Sequence, residues 1–436
     1  MRLILALIGL SFTLLAHAAG AATQTNSLAG TWQGTLKAGP QELRIVLKLT
    51  QADGGAWKGM MYSIDQSRDG APVSSVVWDG SSLTLKVDAV HGTYEGKLGA
   101  DGGSLTGTWS QGLPLPLELQ RATKQTAWPL DPSPHRIQFV TVDKDVKLEV
   151  LDWGGSGRPV VLLTGLGNDA HVFDRFAPKL TGSYHVYGIT RRGFGDSSVP
   201  SSGYSADRLG DDVLAVLDAL KINRPILVGH SIGGEELSSV GSRHPEKVAG
   251  LIYLDAGYWY AYYDPSRGNI DIDLAELQTK LAQLQTGKRP ADPSALIQEL
   301  LNTSLPRFSK DLQDLQEEVN ATPAALRAAQ SAAMTSLPTQ LILAGGQKYS
   351  KIPVPILAIF ADPHNLGPMP GVDPAARAAL EARDRTTTEA QVAAFESGIP
   401  SAHVVRIPHA NHYVFLTNEA DVLREMNAFI AGLPAP

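Results

Sequence analysis

The sequence contains no cysteine, and it has neither a long basic run nor a long apolar run after its first residues. Without cysteine, the 436-residue chain forms no disulfide, no thiolate metal site and no cysteine nucleophile. A formal net charge of −7 argues against a nucleic-acid partner, because phosphate binding needs a basic surface. No stretch of about 18 apolar residues follows Leu15, so the sequence predicts no membrane-spanning helix in the mature chain.

The first residues have the pattern of an export signal. Arg2 supplies a positive start, and Leu3 to Leu15 form an apolar run that is too short to span a bilayer. Ala16-His17-Ala18 provides a small-x-small cleavage site. We therefore expect residues 1–21 to be a signal peptide and the mature protein to be periplasmic or secreted. An uncleaved membrane anchor is the alternative.

Residues 28–121 read as a series of short antiparallel strands. Apolar and mostly polar residues alternate over residues 43–49 and 83–87, and Asp-Gly turns separate such runs. A Gly-Thr-aromatic motif recurs and begins at Gly30, Gly92 and Gly107. We predict a small all-β domain, either a meander sheet or a barrel. Its aromatic residues either fill the core or line a ligand-binding barrel.

The pattern changes after Arg121. Residues 122–136 carry three prolines and read as a linker. From Ile137 onward, short apolar strands alternate with helices, which predicts parallel βαβ units in an α/β domain over residues 137–436. Residues 257–350 contain no convincing strand. Helical spacing of leucines and an alanine-rich stretch there predict a helical cap, from Leu274, Leu277, Leu281, Leu284 and residues 321–333.

The pentapeptide Gly229-His230-Ser231-Ile232-Gly233 carries the strongest chemical signal. It follows a buried apolar strand directly and begins a helix that ends before Pro245. In that context G-x-S-x-G places the serine on a tight strand-to-helix turn with an exposed hydroxyl. The helix N-terminus then faces any anion that forms beside the serine. We therefore predict that Ser231 is a catalytic nucleophile.

A serine hydroxyl is a poor nucleophile at neutral pH and needs a base beside it. His412 is the predicted base, because it lies in a loop after the apolar stretch 404–407 and before a helix. His409 and His403 are rival candidates. A metal site that uses His409 and His412 is a further alternative.

The base needs an acid that fixes its tautomer and stabilises the imidazolium. We predict Asp362, at the end of the strand through Phe360, and we retain Asp255, after the strand ending at Leu254, as the alternative acid. An oxyanion hole is also required. The backbone N–H groups of Leu166, in the glycine-containing loop 164–168, and of Ile232 are the predicted donors.

Together these motifs resemble the α/β-hydrolase superfamily over about residues 140–433. Residues 190–197 resemble the D-x-R-G-x-G-x-S loop of that family. Three positions depart from the family pattern: Thr164 replaces histidine, Thr190 replaces aspartate, and Asp362 comes about two residues early, where His364 takes the usual place. The all-β segment resembles the accessory domain that precedes some exported bacterial hydrolases.

The resemblance implies an α/β-hydrolase fold with a mostly parallel central sheet and a helical cap. It also implies a serine hydrolase that cleaves carboxylic esters through a covalent acyl-enzyme, with a small-molecule ester or acyl substrate and with no cofactor or metal. Family members that open epoxides or cleave carbon–halogen bonds use aspartate in place of Ser231. The alternatives are a peptidase, lactonase or perhydrolase at the same site, or a non-catalytic protein that binds a ligand through its β domain.

Overall fold

The computed structural model describes most of the chain in two sheet-containing regions. The described residues are 27–38, 41–67, 70–111, 113–131, 133–285, 287–322, 336–367, 369 and 372–434. The expected signal peptide, residues 1–21, lies outside them, and so does most of the alanine-rich stretch, from residue 323 to 333. Within the described ranges no helix is both long enough and apolar enough to cross a membrane.

The first sheet has nine antiparallel strands in the order β4-β3-β2-β1-β9-β8-β7-β6-β5. Its strands are β1 Gly30–Ala38, β2 Gln41–Gln51, β3 Trp57–Ser63, β4 Gly70–Pro72, β5 Ser75–Trp78, β6 Ser82–Val87, β7 Gly92–Leu98, β8 Ser104–Gln111 and β9 Leu113–Arg121. The aromatic residue of each Gly-Thr-aromatic motif is buried: Trp32, Tyr94 and Trp109. These three rings are therefore core residues. The prediction of an N-terminal all-β unit is confirmed.

Glycine is required in β1 because the chain approaches a neighbouring strand very closely. A Cβ atom on Gly34 would lie 2.0 Å from the carbonyl oxygen of Glu118 in β9. The alternating apolar residues of β2, predicted from the sequence, point into the same core as Trp32. This core contains residues of the first sheet and of the segment just before it, and none from beyond Leu119.

The second sheet has eight strands in the order β10-β11-β13-β12-β14-β15-β16-β17. Its strands are β10 Arg136–Asp143, β11 Val146–Gly154, β12 Pro159–Leu163, β13 His185–Ile189, β14 Ile226–His230, β15 Gly250–Leu254, β16 Ile356–Ala361 and β17 Ala402–Ile407. β11 pairs antiparallel with β10 and β13, and the remaining pairs are parallel. The central strands are buried on both faces, which explains their continuous apolar sequences.

Helices cover the second sheet and form the predicted cap. They are α1 Ala206–Leu220, α2 Gly233–Arg243, α3 Ile270–Gln283, α4 Ser294–Glu299, α5 Leu305–Ala321, α6 Leu337–Leu343, α7 Pro374–Gly398, α8 Val414–Thr417 and α9 Glu419–Ala431. Helices α3 to α6 lie between β15 and β16 in the chain. The expected α/β architecture, with a mostly parallel sheet, is confirmed.

The sheet order brings the carboxyl ends of β14, β15 and β16 together at one edge. Ser231 follows β14, Asp255 follows β15 and Asp362 follows β16. The loop that carries His412 follows β17 at the same edge. Loops after neighbouring parallel strands meet at this edge, where open α/β sheets usually bind their ligands.

Candidate active site

Ser231 lies in a tight turn between β14 and α2, and its φ angle is 51°. A non-glycine residue rarely adopts this left-handed conformation, and such strain concentrates at functional positions. The flanking glycines make the turn possible. A Cβ on Gly229 would lie 2.7 Å from the oxygen of Gly233, and a Cβ on Gly234 would lie 2.1 Å from the oxygen of Ala256. Ser231 is half-buried and lies in the strained strand-to-helix turn that its sequence motif predicted.

His412 contacts Asp255, the residue that follows β15. Its Nδ1 atom lies 2.6 Å from Oδ2 of Asp255. The carboxylate of Asp255 is fully buried. Burial would raise the pKa of Asp255, but hydrogen bonds from His364 and His412 hold it well below its usual range. Asp255 is therefore an ionised partner for the His412 ring.

Asp362, the predicted acid, contacts a different residue. Its Oδ2 atom accepts a hydrogen bond at 2.6 Å from Nη1 of Arg406, on the neighbouring strand β17. Both aspartates follow parallel strands, but the His412 ring forms its hydrogen bond with Asp255, whereas Asp362 forms an ion pair with Arg406. The predicted pairing of Asp362 with His412 is corrected, and the alternative acid, Asp255, takes its place.

His364 is a second histidine on the Asp255 carboxylate. Its Nε2 lies 2.8 Å from Oδ2 of Asp255, and its Nδ1 lies 3.1 Å from Oδ1 of Asp384 on α7. Burial alone would lower the pKa of His364, but hydrogen bonds to these two carboxylates raise it to about 10. His364 is therefore positively charged at neutral pH. Sequence reasoning noted His364 only as a departure from the family pattern and missed Asp384.

The aromatic stretch at the start of the cap also reaches the site. The hydroxyl of Tyr258 donates a hydrogen bond to Oδ1 of Asp255, and the backbone N–H of Ala361 donates to the same oxygen at 2.9 Å. The side chain of Tyr260 lies close to Ser231. Burial raises the pKa of both tyrosines well above its usual range, so both phenols are neutral donors.

His230 connects the nucleophile turn to the His412 loop. Its Nε2–H donates to the carbonyl oxygen of His412 at 3.0 Å, and the two ring centroids are 4.7 Å apart. Burial, together with the nearby His412, lowers the pKa of His230 to about 3, so the ring is neutral. Sequence reasoning missed this role, because residue two of the G-x-S-x-G motif is variable.

The predicted oxyanion loop lies against the nucleophile turn. A Cβ on Gly165 would lie 2.8 Å from Nδ1 of His230 and 3.3 Å from Cβ of Ser231. Arg191 fixes the loop by donating from Nη2 to the carbonyl oxygen of Thr164 at 2.8 Å. Within the described part of the chain, neither predicted donor, Leu166 N–H or Ile232 N–H, forms a backbone hydrogen bond.

The residues that resemble the family's D-x-R-G-x-G-x-S loop are part of the scaffold of the site. Thr190, which replaces aspartate, donates from its hydroxyl to Oε2 of Glu149 at 2.7 Å and accepts from the N–H of Ala170 at 3.0 Å. Arg192 forms a two-point ion pair with Asp212 on α1, with both contacts at 2.6 Å. The hydroxyl of Thr190 therefore bridges a buried carboxylate and the chain after the oxyanion loop.

The rival histidines do not join this arrangement. His409 and His403 are exposed, and His403 lies 3.9 Å from Glu425. The groups of Asp255, His364 and His412 that could hold a metal ion lie within 4.8 Å of one another. Within this group, His364 and His412 each form a hydrogen bond with Oδ2 of Asp255, so the carboxylate already has two partners.

Residues 158–419 match the family model of the alpha/beta hydrolase fold. This match covers more than half of the chain, and the chain therefore belongs to the α/β-hydrolase family. Its curated homologues include hydrolases of this family, in agreement with an enzyme.

Three curated relatives illustrate the range of activities. The 2-(acetamidomethylene)succinate hydrolase of Mesorhizobium japonicum is 23% identical over 279 residues, which cover 63% of this chain and 89% of that protein. The non-heme chloroperoxidase of Streptomyces lividans is 33% identical over 27% of this chain and 44% of that protein. The fluoroacetate dehalogenase of Burkholderia sp is 33% identical over 26% of this chain and 38% of that protein. The chain thus spans less than half the length of several relatives that it matches.

The chain also aligns with solved structures at low sequence identity. A membrane phospholipase A is 21% identical with a TM-score of 0.44, and the alignment covers 69% of this chain and 86% of that one. Est816, described as an N-acyl homoserine lactone degrading enzyme, is 24% identical with a TM-score of 0.41, over 67% and 100% of the two chains. At these identities the likeness concerns the fold alone.

Proposed function

We propose that this protein is a serine hydrolase that cleaves carboxylic esters through a covalent acyl-enzyme. The observation that carries the proposal is the contact between His412 and the buried Asp255, at the sheet edge where Ser231 occupies a strained turn. A serine, a histidine and a buried carboxylate at the same edge are the groups that acyl transfer needs.

In the proposed reaction, Oγ of Ser231 attacks the carbonyl carbon of the ester while His412 accepts the hydroxyl proton. The N–H groups of Leu166 and Ile232 receive the negative oxygen of the tetrahedral intermediate, and each such donor contributes about 3 kcal/mol in comparable enzymes. Collapse of the intermediate breaks the bond to the alcohol oxygen, to which His412 returns the proton. Water then attacks the acyl-enzyme in the same way and releases the acid and free Ser231.

Asp255 holds the His412 ring in the tautomer that can accept this proton at Nε2. Its carboxylate accepts the Nδ1–H of His412 and stabilises the imidazolium that forms. The carboxylate is itself fixed by His364, Tyr258 and the N–H of Ala361. Because His364 is charged, it offsets part of the negative charge that Asp255 presents to His412.

The choice of ester follows from the family rather than from the site, because amide and lactone hydrolysis use the same groups. Peptidase, lactonase and perhydrolase activities are therefore the competing assignments for Ser231. Two aromatic residues at the start of the cap lie beside the site: Tyr258 forms a hydrogen bond with Asp255, and Tyr260 lies close to Ser231. We further propose that residues 1–21 direct export to the periplasm or the medium.

Covalent labelling tests the proposed function directly. A fluorophosphonate probe should label the purified protein at one site and block ester hydrolysis. Ser231→Ala should abolish labelling and lower kcat on the order of 10⁶-fold, whereas Ser201→Ala, at an exposed serine, should change neither. A Ser231→Ala variant that folds and still hydrolyses esters at more than a few per cent of the parent rate would contradict the mechanism. A panel of matched esters, amides and lactones then separates the competing assignments.

A further inference from the structure

A second cluster of histidines and carboxylates shares no residue with the proposed active site. Asp131 and His135 belong to the linker, whereas His171 and Asp174 follow the oxyanion loop in the α/β domain. One donor atom from each of these four residues lies within 4.8 Å of the other three. The cluster therefore joins the linker to the segment that follows the oxyanion loop.

The side chains of the cluster contact one another, and His135 does so through both of its ring nitrogens. Oδ1 of Asp174 lies 3.0 Å from Nδ1 of His135, and Oδ2 lies 3.0 Å from Nδ1 of His171. Oδ2 of Asp131 lies 3.3 Å from Nε2 of His135. Donor atoms on a tetrahedral zinc ion lie about 3.3 Å apart, because the Zn–N and Zn–O bonds are about 2.0–2.1 Å long. An ion bound here would take one nitrogen from each histidine and one oxygen from each aspartate, and four such donor atoms lie within 4.8 Å of one another.

Both imidazole rings are buried and incompletely satisfied. The side chains of His135 and His171 are 1% and 2% exposed, and the Nε2 atom of each has no hydrogen-bond partner among the described residues. A buried polar atom without a partner costs free energy, so each ring has capacity for one more bond. Asp174 is held by Nε1 of Trp153, which donates to its Oδ1 at 3.2 Å. A supporting contact of this kind is typical of the residues around a metal site.

The surroundings of the cluster are rich in buried negative charge. Glu149, Asp169 and Asp174 are buried, and Oε1 of Glu149 lies 3.5 Å from Nε2 of His171. No lysine or arginine in the described ranges forms an ion pair with any of these three carboxylates. Buried carboxylates are stable when they are paired or when they surround a cation. A divalent ion would supply the compensating charge.

We propose that Asp131, His135, His171 and Asp174 bind one divalent transition-metal ion. Two imidazoles with two carboxylates favour Zn²⁺ over Ca²⁺ and Mg²⁺, which prefer oxygen ligands alone. The ion fixes the linker to the α/β domain and takes no part in the proposed reaction. The family resemblance led us to expect no metal, and the four ligands, which are separated in the chain, form no recognisable spacing in the sequence.

The position of the ion also connects the β domain to the oxyanion loop. The linker is held to the first sheet by Gln33, which donates to the oxygen of Thr126 and accepts from the N–H of Trp128. On the other side of the cluster, Asp169 forms a hydrogen bond with Ser67 of the β domain. A metal ion bound between the linker and the α/β domain would therefore hold the β domain beside the loop that carries Leu166.

Cobalt substitution and zinc retention test the proposal. Purified protein is stripped with EDTA and titrated with Co²⁺, which in a four-coordinate site gives visible d–d absorption, and then with Zn²⁺. We expect one Co²⁺ per chain, displacement by one Zn²⁺, and a higher Tm with Zn²⁺, because a ligand that binds only the folded state stabilises it. Asp131→Asn, at an exposed position, and His171→Gln should each weaken Zn²⁺ binding at least about tenfold.

Two control variants decide which residues bind the ion. His185→Gln removes a similar His–Asp pair, with Asp152, that lies outside the cluster, and it should leave binding unchanged. His364→Gln removes a donor of the other candidate group and should also leave binding unchanged. The proposal is overturned if the parent protein binds no Co²⁺ or Zn²⁺, or if Asp131→Asn binds as tightly as the parent. Loss of binding in His364→Gln alone would assign the ion to the Asp255 group and would equally overturn it.

Discussion

Nδ1 of His412 lies 2.6 Å from Oδ2 of Asp255, although 157 positions separate the two residues in the chain. The contact exists because β15 lies two strands away from β17, so that the loops after both strands meet above β16. Asp255 also has a positive φ angle of 49°, a conformation that a non-glycine residue rarely adopts. This pair determines how the remaining titratable groups of the site are arranged.

The first prediction concerns the acid. Asp255→Asn should lower kcat for a soluble ester on the order of 10⁴-fold, because asparagine favours the wrong tautomer of His412. Asp362→Asn breaks the ion pair with Arg406 and should lower kcat only a few fold. Steady-state kinetics with circular dichroism as a folding control would distinguish the two. A severe loss in Asp362→Asn, with a mild one in Asp255→Asn, would restore the original assignment.

The second prediction concerns His364, which places a positive charge on the far side of Asp255. Without that charge the Asp255 carboxylate presents its full negative charge to the His412 ring. The acidic limb of the kcat/KM profile of His364→Gln should therefore move to higher pH, by up to about one pH unit. His409→Gln, at an exposed histidine of the same loop, is the control. If kcat falls while the acidic limb of the kcat/KM profile does not move, His364 only stabilises the folded structure.

The local parts of the site were predictable from the sequence, whereas its long-range pairings were not. The turn at Ser231 follows from a buried strand, two glycines and a helix within a few residues. The choice between Asp255 and Asp362 depends on side-chain direction after two parallel strands that look alike in the sequence. Asp362 forms an ion pair with Arg406, and no local sequence pattern predicts that contact.

The same distinction applies to the fold. Alternating and continuous apolar runs predicted both sheets, because strand burial follows directly from side-chain pattern. The link between the β domain and the oxyanion loop was not predictable, since it rests on single side chains such as Ser67 and Asp169. Asp384, which completes the contacts of His364, lies on a helix whose sequence gives no sign of a functional role.

The third prediction concerns Glu235, a buried carboxyl group in the first turn of α2. Neither carboxyl oxygen has a hydrogen-bond partner among the described residues, and burial raises its pKa well above the usual value of about 4.5. The folded state therefore keeps a proton that the unfolded chain releases, and the free energy of unfolding falls as pH rises above about 4.5. Glu235→Gln should remove this dependence and raise Tm by a few degrees at pH 8.

Thermal unfolding of Glu235→Gln and its parent between pH 4 and pH 9 would test this expectation. The two melting temperatures should converge toward pH 4 and diverge as the pH rises. Glu317→Gln, at an exposed position, should follow the parent at every pH. A constant difference between Glu235→Gln and the parent across the range would show that Glu235 is not protonated on folding.

The fourth prediction concerns the β domain. The core around Trp32 and the two cores of the α/β domain share no residue, so a chain that begins at Ala127 should keep both cores of the α/β domain intact. Every residue that we assign to catalysis lies after Val140. We expect the shortened chain to fold and to hydrolyse a small soluble ester within a few fold of the full-length rate.

Contacts between the β domain and the α/β domain determine how well the α/β domain can fold and function without the β domain. Removal of the β domain exposes Asp169, whose pKa burial raises to about 7 and which lies next to the oxyanion loop. Ser67→Ala in the full chain removes the same hydrogen bond while retaining the domain, and it serves as the matched control. If both variants lose a similar fraction of kcat, the single contact accounts for the effect. If the shortened chain is insoluble or inactive while Ser67→Ala is fully active, the β domain is needed to complete the α/β core, and the two regions are one folding unit.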